Sequence, residues 1–451
     1  MKGLNKLLSG CAIAALPAMF GLVAVQARAE ARFVLPAPIS DADFPEINIE
    51  EAALGQLLFY DPILSGNREV ACATCHHPAF GTSDGLSLGL GDGGIGLGTA
   101  RVADPDNLPE ARVARNAQAL WNVGALEYAA MFHDGRVEAD AERPSGMRTP
   151  LEEEMLVGLN SMLATQAMFP VVSPDEMAGH YSENEVSQAV RQGILTGPGG
   201  AWDLIAQRVR DIGEYEQLFV AVYGHINAAD DIGYPDISNA IAAFMAHEFR
   251  SDTSPFDAVL RGAARLEGAA LEGLSSFYRP NSCSACHSGP FQSDHSFHAM
   301  GAVQIGPGKA ARFESHARDT GRFRVTGNLA DLYAFRTPSL RNVALTGPYG
   351  HAGAESDLAT FIARHTGRRD AYDRASAVLP ALEGVQDWRI LDDAAERAAV
   401  AAAMDSPRQM QSSQEIANLV AFLQTLTDPV ALTGRMGVPE TVPSGLAVPN
   451  P

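Results

Sequence analysis

Cysteine is scarce in this sequence: there are five, and the four beyond Cys11 all fall in two motifs, Cys72-Ala73-Thr74-Cys75-His76 and Cys283-Ser284-Ala285-Cys286-His287. None is left over for a structural disulfide. Long apolar runs are as rare. After the stretch from Ile13 to Val25, nothing approaches the roughly 20 apolar residues of a spanning helix, which excludes a membrane-spanning mature chain. Alternating strand patterns are few, which argues against a core built from sheets. Bases are outnumbered, with 33 Lys and Arg against 54 Asp and Glu, for a formal charge of −21. Such a surface repels nucleic acid and anionic membranes. It either steers cationic partners toward it or serves solubility alone.

The N-terminus has the form of a secretory signal. Lys2 and Lys6 precede the apolar stretch, and Ala27-Arg28-Ala29 is a small-x-small cleavage site. Cleavage after Ala29 is expected to deliver the mature chain to the periplasm with Cys11 removed and a charge near about −24. Leu8-Ser9-Gly10-Cys11 resembles a lipoprotein box, but its apolar stretch follows the cysteine instead of preceding it. An oxidising compartment without disulfides suits thiols already consumed by thioether bonds. At 451 residues, 46% apolar and 19% charged, the chain is long enough for two or three folded domains.

Cys-x-x-Cys-His supplies that thioether chemistry. Two thiols at i and i+3 reach the two vinyl groups of one porphyrin, and the adjacent His ligates the iron. A single Cys-x-x-Cys also suits zinc or thiol redox, but two copies, each followed by His in an exported chain, point to two covalent c-type haems. A repeat frames the motifs. Ala52-Ala53-Leu54-Gly55-Gln56-Leu57-Leu58-Phe59-Tyr60-Asp61-Pro62 precedes the first. Ala269-Ala270-Leu271-Glu272-Gly273-Leu274-Ser275-Ser276-Phe277-Tyr278-Arg279-Pro280 precedes the second. The period is too long for a solenoid and is read as two cytochrome-like domains.

Helical periodicity dominates the remainder, as in 239–249 and 415–426, where Ser412-x-x-Glu415 is a capping box. The Gly-rich run 88–98 and the Pro-rich end from Val438 are read as loops. The expected fold is mainly α, with two cytochrome c-like haem domains packed together. The expected divisions are a signal over 1–29, haem domains over 30–252 and 253–432, and a flexible tail over 433–451.

The sixth iron position decides function. From Pro78 to Ala130 there is no His and no Met, and His77 adjoins the proximal ligand, so the first haem is expected to be open or water-bound. For the second, the candidates are His295, His298, Met300, His316, His351 and His365. Leu358, Phe361, Ile362 and His365 share one helical stripe, with Gly367 as C-cap, which favours His365 while leaving the others open.

The stretch Phe335-Arg336-Thr337-Pro338-Ser339-Leu340-Arg341-Asn342-Val343-Ala344-Leu345-Thr346-Gly347-Pro348-Tyr349-Gly350-His351 resembles a signature of the bacterial di-haem cytochrome c peroxidases and MauG. So do Arg115-Asn116 and Phe132-His133-Asp134-Gly135-Arg136. The similarity runs roughly from 45 to 430. It implies an open-haem pocket in which Glu176 moves a proton between peroxide oxygens and Gln166 holds peroxide, with Pro170 between them. It implies a calcium ion on Asn116 and the backbone carbonyls of Thr346 and Pro348. It also places the second haem's distal ligand fourteen residues after His351, which is His365.

Three departures from the pattern stand out. His365 replaces the Met or Tyr of the family, implying bis-His ligation and a lower potential than a His/Met haem. His133 replaces a Trp between the haems. The first distal position has no capping His. The segments 137–162 and 368–411 look like insertions that could reshape the partner surface.

The resemblance implies a periplasmic enzyme that reduces hydrogen peroxide with electrons from a small cytochrome c or cupredoxin. Two alternatives are a MauG-like oxidase modifying Trp or Tyr of a partner protein, and a pure electron carrier, which the vacant first distal site opposes. A haemochrome assay on mature protein should return two c-type haems per chain. Replacing Cys72 or Cys283 by Ala should remove one of them.

Overall fold

The sequence repeat becomes a repeat of helix pairs. In a computed structural model, which describes residues 34–451 other than 181, 311–313, 369 and 405–409, helix Ile49–Tyr60 packs along helix Tyr234–Glu248. Helix Gly268–Phe277 packs along Ser413–Gln424 in the same manner. The expected signal, 1–29, lies outside the described residues.

Local signals explain where these helices start. The Asn48 side chain accepts from the backbone N–H groups of Glu50 and Glu51. Ser412 and Glu415 cap each other reciprocally, with Glu415 N donating to Ser412 Oγ at 3.2 Å and Ser412 N to Glu415 Oε2 at 2.9 Å.

A glycine in each repeat sets the closeness of the crossing. A Cβ on Gly55 would stand 1.8 Å from the Ala240 carbonyl oxygen, and one on Gly273 would stand 1.9 Å from that of Asn418. Each glycine lies four residues before the Phe of Phe-Tyr. That Phe then enters the seam: Phe59 meets Phe244 at 5.1 Å between ring centres, and Phe277 meets Phe422 at 5.1 Å.

Strands are short: among the described residues they form two two-stranded sheets and one three-stranded sheet, Ala130–Met131, Val137–Ala139 and Met147–Arg148. The architecture is thus mainly α. No described helix is long and apolar enough to cross a membrane.

The boundary expected near 252 is a buried knot of hydrogen bonds within one compact unit, Val34–Pro451. Ser251 N donates to Asn122 Oδ1 at 2.7 Å, and Asn122 Nδ2 donates to Ser251 O at 2.8 Å. Asp428 accepts from Thr253 N at 2.8 Å and Thr253 Oγ1 at 2.7 Å. The tail, which has neither helix nor strand from Val438 onward, does not trail free. Glu248 accepts from the N–H groups of Arg435, Met436 and Gly437, and Ser444 Oγ donates to Asp61 at 2.6 Å.

The second segment read as an insertion acts as a brace. Ser87 N donates to Val378 O at 2.8 Å, and Arg112 pairs with Asp387 at 2.8 Å. Its helix Ala394–Ala402 carries Glu396, 3.2 Å from Arg318.

The glycine contacts give a direct test. Gly273→Ala should destabilise the chain by about 1–3 kcal/mol, the usual cost of overpacking, and lower Tm in a thermal melt. Gly213→Ala, where a Cβ meets nothing within 4 Å, should leave Tm unchanged or slightly raised.

Candidate active site

Each Cys-x-x-Cys-His stretch is a single tight turn, Cys72–Cys75 and Cys283–Ala285, with the two thiols brought to one side. None of the four is in a disulfide. Burial pushes the Cys72 and Cys75 thiols up to about 12, so neither is a poised nucleophile.

The histidine that follows is oriented in the same way at both sites. His76 Nδ1 lies 3.2 Å from Thr82 O, and His287 Nδ1 lies 3.1 Å from Gln292 O. A carbonyl only accepts, so Nδ1 carries the proton and the lone pair sits on Nε2, the form that ligates a metal. Both carbonyls belong to residues in the left-handed region, Thr82 at φ 63° and Gln292 at φ 50°. Non-glycine residues rarely adopt this conformation, and its cost is tolerated at functional positions.

Opposite His287 stands His365, at the end of helix Leu358–His365. Asp357 caps that helix, accepting from Thr360 N at 2.7 Å, and Phe361 stacks on the His365 ring at 5.4 Å. The His287 and His365 ring centres are 6.3 Å apart. Metal–imidazole bonds of about 2 Å, plus roughly 1 Å from nitrogen to ring centre, put two trans ligands about 6 Å apart. The pair therefore has the spacing of two axial ligands on one iron.

His365 lines a cleft of about 200 Å³ with Met300, Tyr349 and Phe361, lined on another side by Ile390 and Val400 of the brace. Among the other histidine candidates, His295 bonds Glu127 at 2.8 Å, His298 bonds Asp294 at 3.0 Å, and His316 accepts from Arg318 N at 3.2 Å. His351 stacks on Phe335 at 3.9 Å with both ring nitrogens buried and unpartnered.

The residues that the resemblance assigns to the first site lie on three short consecutive elements. Gln166 lies on helix Met162–Ala167, Pro170 opens the 3-10 turn Pro170–Val172, and Glu176 sits in the wide helical turn Pro174–Ala178. The Gly-rich run holds that last turn. Asp92 N donates to Glu176 O at 2.9 Å, and a Cβ on Gly91 would come within 2.4 Å of the same oxygen. Burial raises the Glu176 pKa, while Arg136 and Lys309 pull it down. Glu176 also acts electrostatically on Cys75, which ties it to the first motif. Gln166 Oε1 is buried without a partner, as expected of a group whose partner is a bound species.

Between the motifs, Arg115 binds Asp319 through Nε at 2.6 Å and Nη2 at 2.9 Å, and reaches Asp134 at 2.6 Å. His133 Nε2 lies 3.2 Å from Asn116 O. Burial and then the Arg115 charge lower its pKa to about 3, so it stays neutral. Asn116 N donates to His351 O at 2.9 Å, tying it to the signature that carries Thr346 and Pro348, while Asn116 Nδ2 donates to Leu86 O at 2.8 Å.

Residues 49–265 match the model of the di-haem cytochrome c peroxidases. The chain is 28% identical over 406 residues to methylamine utilization protein MauG of Methylorubrum extorquens, covering 90% of this chain and 86% of that protein. It is 28% identical over 344 residues to cytochrome c551 peroxidase of Nitrosomonas europaea, covering 76% and 79%. The chain is thus similar to the di-haem cytochrome c peroxidases and MauG over most of its length. A solved MauG-like protein associated with microbial copper homeostasis shares the fold, with a TM-score of 0.58 at 24% identity over 90% of this chain and 97% of that one.

This similarity implies two haems, and the donor sets fit them: an oriented His in each motif, and a second imidazole at axial spacing from His287. Sequence reasoning missed Thr82, Gln292 and Gly91, which carry no chemical signature of their own. A positive-φ residue five or six positions after each motif His is visible only in the backbone. His365→Ala should turn a low-spin bis-imidazole EPR signal of the oxidised protein into a high-spin one. An intact low-spin signal would assign the ligand elsewhere, with Met300 next on the same cleft.

Proposed function

We propose that this chain is an exported peroxidase that reduces hydrogen peroxide at the first haem, with electrons relayed through the second from a small cytochrome c or cupredoxin. The asymmetry of the two sites carries the reading. The second has histidines facing each other at axial spacing, whereas the first is faced by Gln166 and Glu176. Covalent attachment through Cys72, Cys75, Cys283 and Cys286 accounts for thiols that form no disulfide in an exported chain. When bound, the haem pair supplies iron that takes up peroxide and a route for two electrons.

Glu176 provides the proton. Burial raises its pKa, which makes the carboxylate a better acceptor of the proton from one peroxide oxygen and leaves it able to return that proton to the departing one. Gln166, anchored in its short helix, orients the peroxide through its amide. Pro170 starts the turn between them without presenting an N–H that would compete for the same oxygen. His133, neutral and bonded to Asn116, fills the space between the haems without adding charge. Asn116 Oδ1 with the Thr346 and Pro348 carbonyls forms a neutral oxygen set suited to calcium. Cleavage after Ala29 would release the mature chain into the periplasm, where its acidic surface favours a cationic donor.

Turnover of peroxide with a reduced donor cytochrome tests the reading; absence of turnover refutes it. Glu176→Gln should slow the reaction with peroxide by roughly 10²- to 10⁴-fold in stopped-flow mixing, with the resting haem spectrum unchanged. A wild-type rate in that variant would move the proton donor elsewhere, to Asp175 or water.

A further inference from the structure

Lys309 is the only lysine beyond Lys6; every other cationic side chain in the described residues is Arg. It lies half-buried on a loop. A Cβ on Gly306 would come 2.1 Å from Leu88 Cδ1, and one on Gly308 1.6 Å from Ala317 O, so the backbone leading into the lysine is pressed against its neighbours. Ile305 just before it is buried with Leu88, Ala352 and Ala354, which seats the loop over the Gly-rich run of the first site.

The charges around the ammonium are Arg136, Arg115, Glu176 and Asp319. The permanent anions are already taken. Asp319 and Asp134 bind Arg115 at 2.6 Å each, and Arg136 holds Asp134 at 3.2 Å. Glu176 and Lys309 act on each other electrostatically but share no hydrogen bond or ion pair. Among the described residues no ion pair or hydrogen bond to Lys309 exists, so its ammonium has no bonded counter-ion. An unpaired, half-buried ammonium is costly unless an anion joins it. A haem brings two propionate carboxylates of its own, either of which supplies such an anion.

We propose that Lys309 is an anchoring residue of the first haem, its ammonium pairing with a propionate carboxylate. The inference rests on a haem being attached at Cys72–His76, and not on what that haem catalyses. A lysine suits the role as a compact point charge on a flexible stem, able to reach one carboxylate oxygen without the fixed fork of Arg.

With a single lysine in the mature chain, growth on lysine labelled at Cε gives one side-chain resonance. In the oxidised two-haem protein that resonance should be shifted by the paramagnetic iron, and in Cys72→Ala, which lacks the first haem, it should return to the ordinary lysine position. Removing the cation should also make the first haem harder to reduce. Lys309→Gln should lower its midpoint potential, and Lys309→Arg should restore most of the loss. A resonance at the same position with and without the first haem overturns the proposal. So does a potential that stays unchanged in Lys309→Gln. Neither readout involves peroxide, so failure here is separable from failure of the peroxidase reading.

Discussion

Arg115 joins two carboxylates that have lost nearly all contact with water, Asp134 from the first half of the chain and Asp319 from the second. Burial opposes the ionisation of both. The Arg115 charge overcomes it, lowering Asp134 to about 2 and Asp319 further still. Removing one partner from such a buried set typically costs about 3–5 kcal/mol, because the remaining charge cannot recover its hydration. The bidentate fork on Asp319 also fixes direction, which a lone contact would not. What surrounds the first site is indexed to this junction. Asn116 follows Arg115, His133 precedes Asp134, and Asp319 exchanges two hydrogen bonds with Gln304 at 2.8 and 3.0 Å, holding the loop that bears Lys309.

The two halves then differ in one respect that matters. Both have the glycine crossing, the Phe in the seam, the tight cysteine turn and the strained carbonyl that orients the proximal imidazole. They part at the opposite face. In the second half a capped helix delivers His365. In the first, the proposed counterparts are Gln166, Pro170 and Glu176, carried by a short helix and two turns. An imidazole fills a coordination position, whereas an amide and a carboxyl group leave it open and offer hydrogen bonds instead.

Much of this was legible from spacing. The motifs follow from a chemistry that tolerates few residue types, and the flanking helices from local periodicity; periodicity only favoured His365, which the resemblance then singled out. Glu176 was legible only by resemblance, since a Glu in a Ser-Pro-Asp turn is read as surface. What buries it is the run 88–98, and a Gly-rich stretch advertises a loop but not what the loop closes on. The Pro-rich end was read as flexible for the same reason: Glu248 and Asp61, which bind it, lie far away in sequence. Long-range contacts made by backbone groups leave no trace in composition. Lys309 is the sharpest case, because nothing in its neighbours Gly308 and Ala310 distinguishes it from a surface lysine.

Burial acts with a common sign on the titratable groups left outside the Arg115 cluster. It raises Glu176, raises Asp84 to about 7, lowers His133 to about 3 and His351 to about 4, and lowers Lys309. In each case burial shifts the balance toward the neutral form, because a poorly hydrated region penalises isolated charge of either sign. Asp134 and Asp319 escape only through Arg115. A charge placed in that region is screened by little water and acts strongly on its neighbours, as Arg136 and Lys309 do on Glu176 and as Arg115 does on His133.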